Sequence, residues 1–167
     1  MNALEQFRQE KDEFFKTSRQ SPLTTEQKNE FSGLHYYPEN PSLRLELKLE
    51  RFAQPEPVIL ATSTGDEQEY FRVGQIRFEV AGEEAVLQIY EADYGFFLPF
   101  VDSLAGGETY PAGRYLEPEV LPGNRFLIDF NLAYNPYCAY NDMWSCPLTP
   151  AENRLKVPIR AGEKIFH

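Results

Sequence analysis

The alternation of apolar and charged residues in the stretch LRLELKLER constrains the fold more than any other feature of the chain. Leu43, Leu45, Leu47 and Leu49 fall on one face of an extended segment, while charged residues occupy the other face. A half-buried antiparallel strand has this period of two residues, whereas a helix would need apolar residues three or four positions apart. We therefore predict a strand here that packs on a core on one side only.

Further segments along the chain have the length and composition of strands. QIRFEV, around Phe78, and AVLQIYE, around Ile89, are joined by AGEE, whose Gly82 indicates a hairpin turn. With PVILA, EYFRV, FFLPFV, RFLIDF and LKVPI they bring the total to about eight strands. No long helical pattern alternates with them, so a parallel α/β sheet is not expected. We predict a mainly β (α+β) fold, an antiparallel barrel or sandwich, and the pattern does not decide between the two.

The N-terminal region has helical rather than alternating spacing. Apolar residues recur at helical intervals over about residues 3–17, and Asn2 with Glu5 has the spacing of a capping box. We expect the apolar side of this helix to lie on the main body. Thr24 with Gln27 predicts a second, short helix in the same way.

The length of 167 residues fits one globular domain with a core of its own. We predict a helical segment over residues 1–33, packed on an antiparallel β domain over residues 34–167. A domain of this size needs neither a metal nor disulfides to remain folded. Nothing in the pattern indicates an oligomeric state.

The charge of the chain restricts its partners. Acidic residues outnumber basic ones by 26 to 16, and the resulting net charge of −10 opposes binding to nucleic acid or to an anionic membrane. Neutral or cationic ligands are favoured.

No stretch approaches the about 18 apolar residues of a membrane span, and the N-terminus lacks the features of a signal peptide, so we expect a soluble, cytoplasmic protein. No Walker loop, dinucleotide fingerprint, nucleophile elbow or His-Glu-x-x-His motif is present, and neither a cofactor nor a metal is predicted.

Two long stretches, residues 99–124 and 131–154, lack strand periodicity and are rich in polar, aromatic, Gly or Pro residues. Loops of this length in a compact domain are either functional or disordered, and segments so rich in aromatic residues are poor candidates for disorder. We expect the functional site in these two stretches.

The C-terminal stretch DFNLAYNPYCAYNDMWSCPLTPAENRLKVPIRAGEK resembles the signature of a bacterial family known as domain of unknown function 1684. EPVILATSTGDEQEYFRVGQIRFEV and FFLPFVDSLAGGETYPAGRYL are similar to the middle segments of that family, in the same order and spacing. The resemblance extends from about Pro22 to Lys164. The resemblance supports the boundaries of the domain and the position of the segment that contains the expected site, and it implies no activity.

Cys138 and Cys146 are the only cysteines, and the seven residues between them exclude a redox Cys-x-x-Cys pair and leave a zinc site two ligands short. Three interpretations remain open: buried thiols that pack as small apolar groups, a disulfide that closes the loop, or a reactive thiolate. A thiolate would need a nearby base or cation, and the candidates are His35, Arg114 and Arg154.

Two carboxylates stand at strand ends, Asp129 at the end of RFLIDF and Asp102 after FFLPFV. They are candidates for a catalytic acid and base or for charge partners of arginine. A buried network that pins the long loops is an equally good explanation. Proline at positions 136 and 147 stiffens the aromatic loop, whose rings either contact a ligand or cover the core.

We predict that these stretches form a rim pocket for a small polar ligand. Its expected lining is Arg114, Tyr115, Asn131, Tyr134, Asn135, Trp144, Glu152 and Arg154, and its candidates for catalysis are Asp102, Asp129, Cys138 and Cys146. The first alternative is a hydrolase that uses the aspartates as acid and base or a cysteine as nucleophile. The second is a structural or protein-interaction domain without pocket chemistry.

Overall fold

The structure is a computed structural model that describes every residue from Met1 to His167. The helices and strands follow one another along the chain as α1 (Ala3–Thr17), α2 (Thr25–Glu30), β1 (Arg44–Lys48), β2 (Glu50–Ala61), β3 (Glu67–Val80), β4 (Glu83–Ala92), β5 (Gly95–Phe100), β6 (Arg114–Leu116), β7 (Glu119–Leu121) and β8 (Arg125–Asp129). No helix of the structure combines the length and the apolar character needed to cross a membrane.

The strands form two antiparallel sheets. One has the order β2-β3-β4-β5-β6, and the other has the order β1-β8-β7. The main apolar cluster contains 18 buried residues drawn from both sheets and from the C-terminal segment. The predicted mainly β, antiparallel fold is therefore confirmed. The sheets do not close into a barrel, and the arrangement fits the sandwich alternative.

The alternating stretch LRLELKLER is divided between the two sheets. β1 pairs with β8, whereas β2 pairs with β3, and the chain changes sheets at Leu49, which is 1% exposed. The Leu49 amide donates to the carbonyl of Asn124 instead of to a strand partner. The predicted strands EYFRV and QIRFEV form one continuous strand, β3, with an irregularity in its pairing between Arg72 and Gly74.

The predicted strand LKVPI is wrong. Residues 155–159 have no strand pairing, because Pro158 has no amide hydrogen to donate to a ladder. The segment nevertheless runs through the core, where Val157 and Ile159 are 3% and 0% exposed. The loop between β5 and β6 binds it, since the Ser103 amide donates to the carbonyl of Val157.

Both helices begin as predicted. The Glu5 amide donates to the side chain of Asn2 at 2.8 Å, and the Gln27 amide donates to Thr24 at 3.1 Å. The expected burial of the apolar side of α1 is only partly met. Phe15 is buried, whereas Phe7 and Phe14 are 46% and 37% exposed. Since the hydrogen bonds and ion pair described below hold the helix in place, these two rings are left at the surface.

Candidate functional site

One face of α1 docks on the segment between α2 and β1 mainly through polar contacts. The Arg8 guanidinium donates to the carbonyl of Tyr37 at 2.8 Å, and the carboxylate of Asp12 accepts from the amide of Leu34 at 3.1 Å. Phe15, one turn further on, supplies the buried apolar part of the contact. Residues spaced by three or four positions share one face of a helix, so these side chains form a single docking stripe.

Glu163, near the C-terminus, anchors the same stripe. Its carboxylate forms an ion pair with Lys11 and also accepts from the amide of Asn135 at 2.9 Å and from the phenol of Tyr140 at 3.2 Å. Glu163 is 2% exposed, so these donors replace the water that its charge would otherwise bind. The first helix is thereby joined to the last residues of the chain and to the aromatic loop.

The neighbouring stripe of α1 forms one wall of a groove of about 630 Å³. Phe7, Glu10, Lys11 and Phe14 lie at the spacing of one helical face and line this wall. The loops after β6 and β8 supply the opposite wall. The remaining lining residues are Phe15, Tyr115, Glu117, Tyr134, Pro136, Tyr137, Trp144, Ser145 and Cys146.

The aromatic side chains of the opposite wall are held by hydrogen bonds and by one another. The rings of Tyr137 and Trp144 meet edge to face, with their centroids 5.2 Å apart. The indole of Trp144 donates to the carbonyl of Pro22 at 3.1 Å, and the phenol of Tyr134 donates to Glu117 at 2.8 Å. Burial raises the pKa of Tyr134 well above its ordinary value, so its phenol remains protonated. The wall is therefore largely preformed.

The uncompensated charges of the groove are negative. Glu10 and Glu117 are exposed and take part in no ion pair, whereas Lys11 is paired with Glu163. A smaller hollow of about 240 Å³ shares Phe7, Glu117 and Tyr134 with the groove, and it is also lined by Glu119 and Asp129. A cation in the groove would lie near several carboxylates and would meet no free basic side chain.

Asp102 and Arg114 lie together but away from solvent, and each side chain is 1% exposed. Asp102 accepts from the hydroxyl of Thr109 at 2.7 Å and from the amide of Ile159 at 2.8 Å. The guanidinium of Arg114 donates to the carbonyls of Ile159, Ala161 and Glu163. Burial lowers the pKa of Arg114, and the charge of Asp102 opposes that shift. These contacts fasten the C-terminal segment to β6 and to the loop after β5.

Asp129 and Asn131 stabilise a turn after β8. The carboxylate of Asp129 accepts from the amide of Asn131 at 3.0 Å. Asn131 in turn bonds both the amide and the carbonyl of Asn40, at 2.8 Å and 2.9 Å. Asp102 and Asp129 have no hydrogen-bond partner in common, and of the two only Asp129 borders a surface hollow, the smaller one.

The other predicted lining residues are distributed over the molecule. Glu152 accepts from the phenol of Tyr90 at 2.6 Å and from Arg72 at 2.9 Å, outside the groove. Arg154 is exposed, also outside the groove. Asn135 is buried, and its side chain donates to the carbonyl of Lys164 at 2.9 Å. Of the predicted lining and catalytic residues, the groove brings together Tyr115, Tyr134, Trp144 and Cys146.

The two cysteines are adjacent and carry free thiols. The amide of Cys138 donates to the sulfur of Cys146 at 3.3 Å, and the Tyr110 hydroxyl lies 3.7 Å from the sulfur of Cys138. The proximity of the two sulfurs lowers the pKa of Cys138 below its ordinary value and raises the pKa of Cys146. His35 borders a separate hollow beside Glu108 and contacts neither thiol.

Comparison with known proteins assigns the chain to a family. A family model described as "Protein of unknown function (DUF1684)" matches residues 29–164. The chain belongs to the DUF1684 family. A solution NMR structure of an uncharacterised protein from Haloarcula marismortui is similar, with 38% identity and a TM-score of 0.72 over 96% of this chain and 91% of that one. No protein with a curated description matches the chain.

Several groove residues of this DUF1684 protein are not among the predicted site residues. Phe7 and Phe14 have visible helical spacing, but their pattern suggested a face turned toward the core, and Glu10 was not part of that pattern. Tyr137 lies within the DUF1684 signature and was predicted only as one of several rings on the aromatic loop. The exposure of Phe7 and Phe14 depends on the polar docking of α1, which the local sequence does not reveal.

Proposed function

We propose that this protein binds a small organic cation with an apolar body in the groove between α1 and the aromatic loop. The exposed aromatic rings on both walls carry this proposal. Phe7 and Phe14 on the helix, and Tyr137 opposite, are each more than one third exposed at 46%, 37% and 37%. Exposed aromatic rings on two facing walls are typical of a ligand site.

The volume of the groove supports a small molecule as the ligand. About 630 Å³ falls within the range of about 300 to 1,000 Å³ that is usual for small-molecule sites. Since Tyr134 and Trp144 are already fixed by hydrogen bonds, few side chains would lose freedom on binding.

The charge around the groove supports a cation. Glu10 and Glu117 are carboxylates at its edge that take part in no ion pair, and the whole chain carries a net charge of −10. A cationic group over an aromatic face gains about 0.5 to 2 kcal/mol, and the nearby carboxylates add to this attraction. An anionic ligand would be repelled.

The contacts of the predicted residues also bear on the alternatives. The expected arginine of the pocket, Arg114, donates to three backbone carbonyls and has no surface to offer a ligand. The hydrolase alternative gains no support from Asp102, whose side chain is 1% exposed. Our proposal therefore keeps the predicted aromatic residues Tyr134 and Trp144 and omits the arginine, and its carboxylates, those of Glu10 and Glu117, were not among the predicted site residues.

Tryptophan fluorescence tests the proposal directly, because Trp144 is the only tryptophan of the chain and lines the groove. We would titrate the protein with benzyltrimethylammonium, its neutral isostere neopentylbenzene, and benzoate. The cation is expected to change the emission saturably and most strongly, the neutral compound more weakly, and benzoate not at all. Glu117→Gln is expected to weaken cation binding by about threefold to tenfold, with a smaller difference at high salt.

A matched pair of variants identifies the place of binding. Phe7→Ala removes an exposed ring of the groove, while Phe71→Ala removes a ring of similar exposure, 42%, that does not line it. Only Phe7→Ala should reduce the affinity. Equal responses to the three probes, or equal losses in the two variants, would refute the proposal.

A further inference from the structure

The two cysteines meet although seven residues lie between them. The short turn Tyr137–Ala139 brings the amide of Cys138 to 3.3 Å from the sulfur of Cys146. The β carbon of Cys138 is two bonds from that amide nitrogen, so the side chain of Cys138 begins close to the sulfur of Cys146.

The environments of the two thiols differ in a way that gives them different roles. Cys138 is partly exposed, and the Tyr110 hydroxyl lies 3.7 Å from its sulfur. Burial raises the pKa of Tyr110, so this phenol keeps its proton and can donate to a thiolate. A donor that points at a sulfur favours its anionic form, which is the nucleophilic form of cysteine.

Cys146 is suited to attack the sulfur of Cys138 once Cys138 has been oxidised. It is 7% exposed and borders the groove, and its amide donates to the hydroxyl of Ser63 at 3.1 Å. The nearby sulfur of Cys138 raises the pKa of Cys146, so the Cys146 thiol keeps its proton while Cys138 is a thiolate. Conversion of Cys138 to a neutral sulfenic acid removes that negative charge, so Cys146 can then lose its proton and act as a nucleophile.

We propose that Cys138 and Cys146 form a redox-active pair, in which Cys138 is the thiol that reacts with a hydroperoxide and Cys146 is the resolving thiol. The thiolate of Cys138 attacks the O–O bond, takes up the terminal OH as a sulfenic acid and releases an alkoxide or hydroxide that is protonated by solvent. The sulfur of Cys146 then attacks that of Cys138, forming the S–S bond, and the departing hydroxide combines with the thiol proton as water. Two thiols are oxidised and one hydroperoxide is reduced. This proposal does not depend on the ligand of the groove.

The disulfide would close the loop of residues 138–146 around the groove wall. Trp144 lies within that loop and donates to the carbonyl of Pro22, while Asn141 donates to the same carbonyl at 2.9 Å. Oxidation therefore constrains the segment that joins the aromatic wall to the helical region.

The wild-type chain gives the first test. The reduced protein would be treated with hydrogen peroxide under native conditions, after which free thiols are counted and tryptic peptides are identified by mass. Both thiols are expected to disappear together, with a linked peptide pair that contains Cys138 and Cys146 and with recovery of both thiols on reduction. Persistence of both thiols, or disulfides only between chains, would overturn the proposal.

Two variants separate the roles of the thiols, and their circular dichroism is first compared with that of the wild type. In Cys146→Ser, Cys138 should stop at the sulfenic acid, which dimedone traps. In Cys138→Ser, the remaining thiol should react with peroxide at least about tenfold more slowly and give no dimedone adduct. Equal peroxide reactivity of the two variants would contradict the assigned order. If both variants unfold, the wild-type experiment still decides whether the pair closes.

Discussion

At the scale of single residues, Glu163 is the buried carboxylate that joins α1 to the aromatic loop. Its carboxylate accepts from Lys11, from the amide of Asn135 and from the phenol of Tyr140, and it is 2% exposed. A buried carboxylate with this many donors stabilises the fold only while all of them are present, because an unpaired partner in the same place is costly.

Glu163→Gln tests this anchoring role. The amide keeps the size of the side chain but removes its charge, and it leaves the partly buried Lys11, 18% exposed, without a counter-ion. We expect the free energy of unfolding to fall by about 2 to 4 kcal/mol, measured by urea denaturation.

Glu84→Gln is the control, since Glu84 pairs with Arg77 at the surface and its side chain is 62% exposed. We expect that change to cost less than about 0.5 kcal/mol. If both substitutions cost the same, Glu163 does not anchor the helix.

The sequence supplied the residue types of the polar region but not their partners. For Asp102 and Arg114 we predicted either a functional site or a buried polar network. In the structure both side chains contact the segment of residues 159–163. Those partners lie more than 40 positions along the chain from either residue, so no local pattern connects them. Glu163 likewise stands among many acidic residues, and nothing in RAGEK distinguishes it from a surface charge.

At the scale of elements, the change of sheet at Leu49 organises the sandwich. The alternation of leucines continues from β1 through Leu49 toward β2, so it correctly predicts an extended chain. It cannot show that β1 pairs with β8 whereas β2 pairs with β3. Gly74, in the irregular part of β3, lies against this bend. A β carbon at Gly74 would be 2.6 Å from the carbonyl oxygen of Glu50 and 2.9 Å from the side chain of Leu49.

Gly74→Ala should therefore destabilise the fold. We expect a loss of about 2 to 4 kcal/mol, because the new methyl group meets backbone that cannot move without separating β2 from β3. Thermal unfolding followed by circular dichroism measures the change. Gly107→Ala is the matched control, since its new methyl group meets only the carbonyl of Leu104, at 3.6 Å, and its effect should stay within about 1 kcal/mol. Similar losses in both variants would show that the bend tolerates a side chain.

At the scale of the whole molecule, many tyrosine phenols are enclosed between the sheets, the helices and the aromatic loop. Burial is the largest cause of a raised pKa for nine of the ten tyrosines, and the most deeply buried of these are Tyr36, Tyr90, Tyr115, Tyr134 and Tyr140. A phenol whose folded pKa is raised favours the folded state while it is protonated. Its contribution is fully present below the unfolded pKa of about 10 and is lost as the pH rises beyond it.

We therefore predict cooperative alkaline unfolding. Stability against urea should be nearly constant between about pH 8 and 9 and should fall steeply above about pH 10, and tyrosinate absorbance should appear together with the loss of structure. Tyr115→Phe removes one of these phenols and should reduce the steepness of the fall. If tyrosinate formed in the folded protein near pH 10, the ordinary pKa of tyrosine, without loss of stability, the prediction would be wrong.

The ion pair between Lys11 and Glu163 joins residues that lie 152 positions apart. On the ribosome, synthesis at about 5 to 20 residues per second leaves on the order of ten to thirty seconds between the appearance of the two partners. During that interval α1 has no carboxylate to bind, and Phe7 and Phe14 have no opposite wall. The nascent chain therefore leaves the exit tunnel with an exposed aromatic segment, and the contacts that hold α1 against the groove can form only after Glu163 has been synthesised.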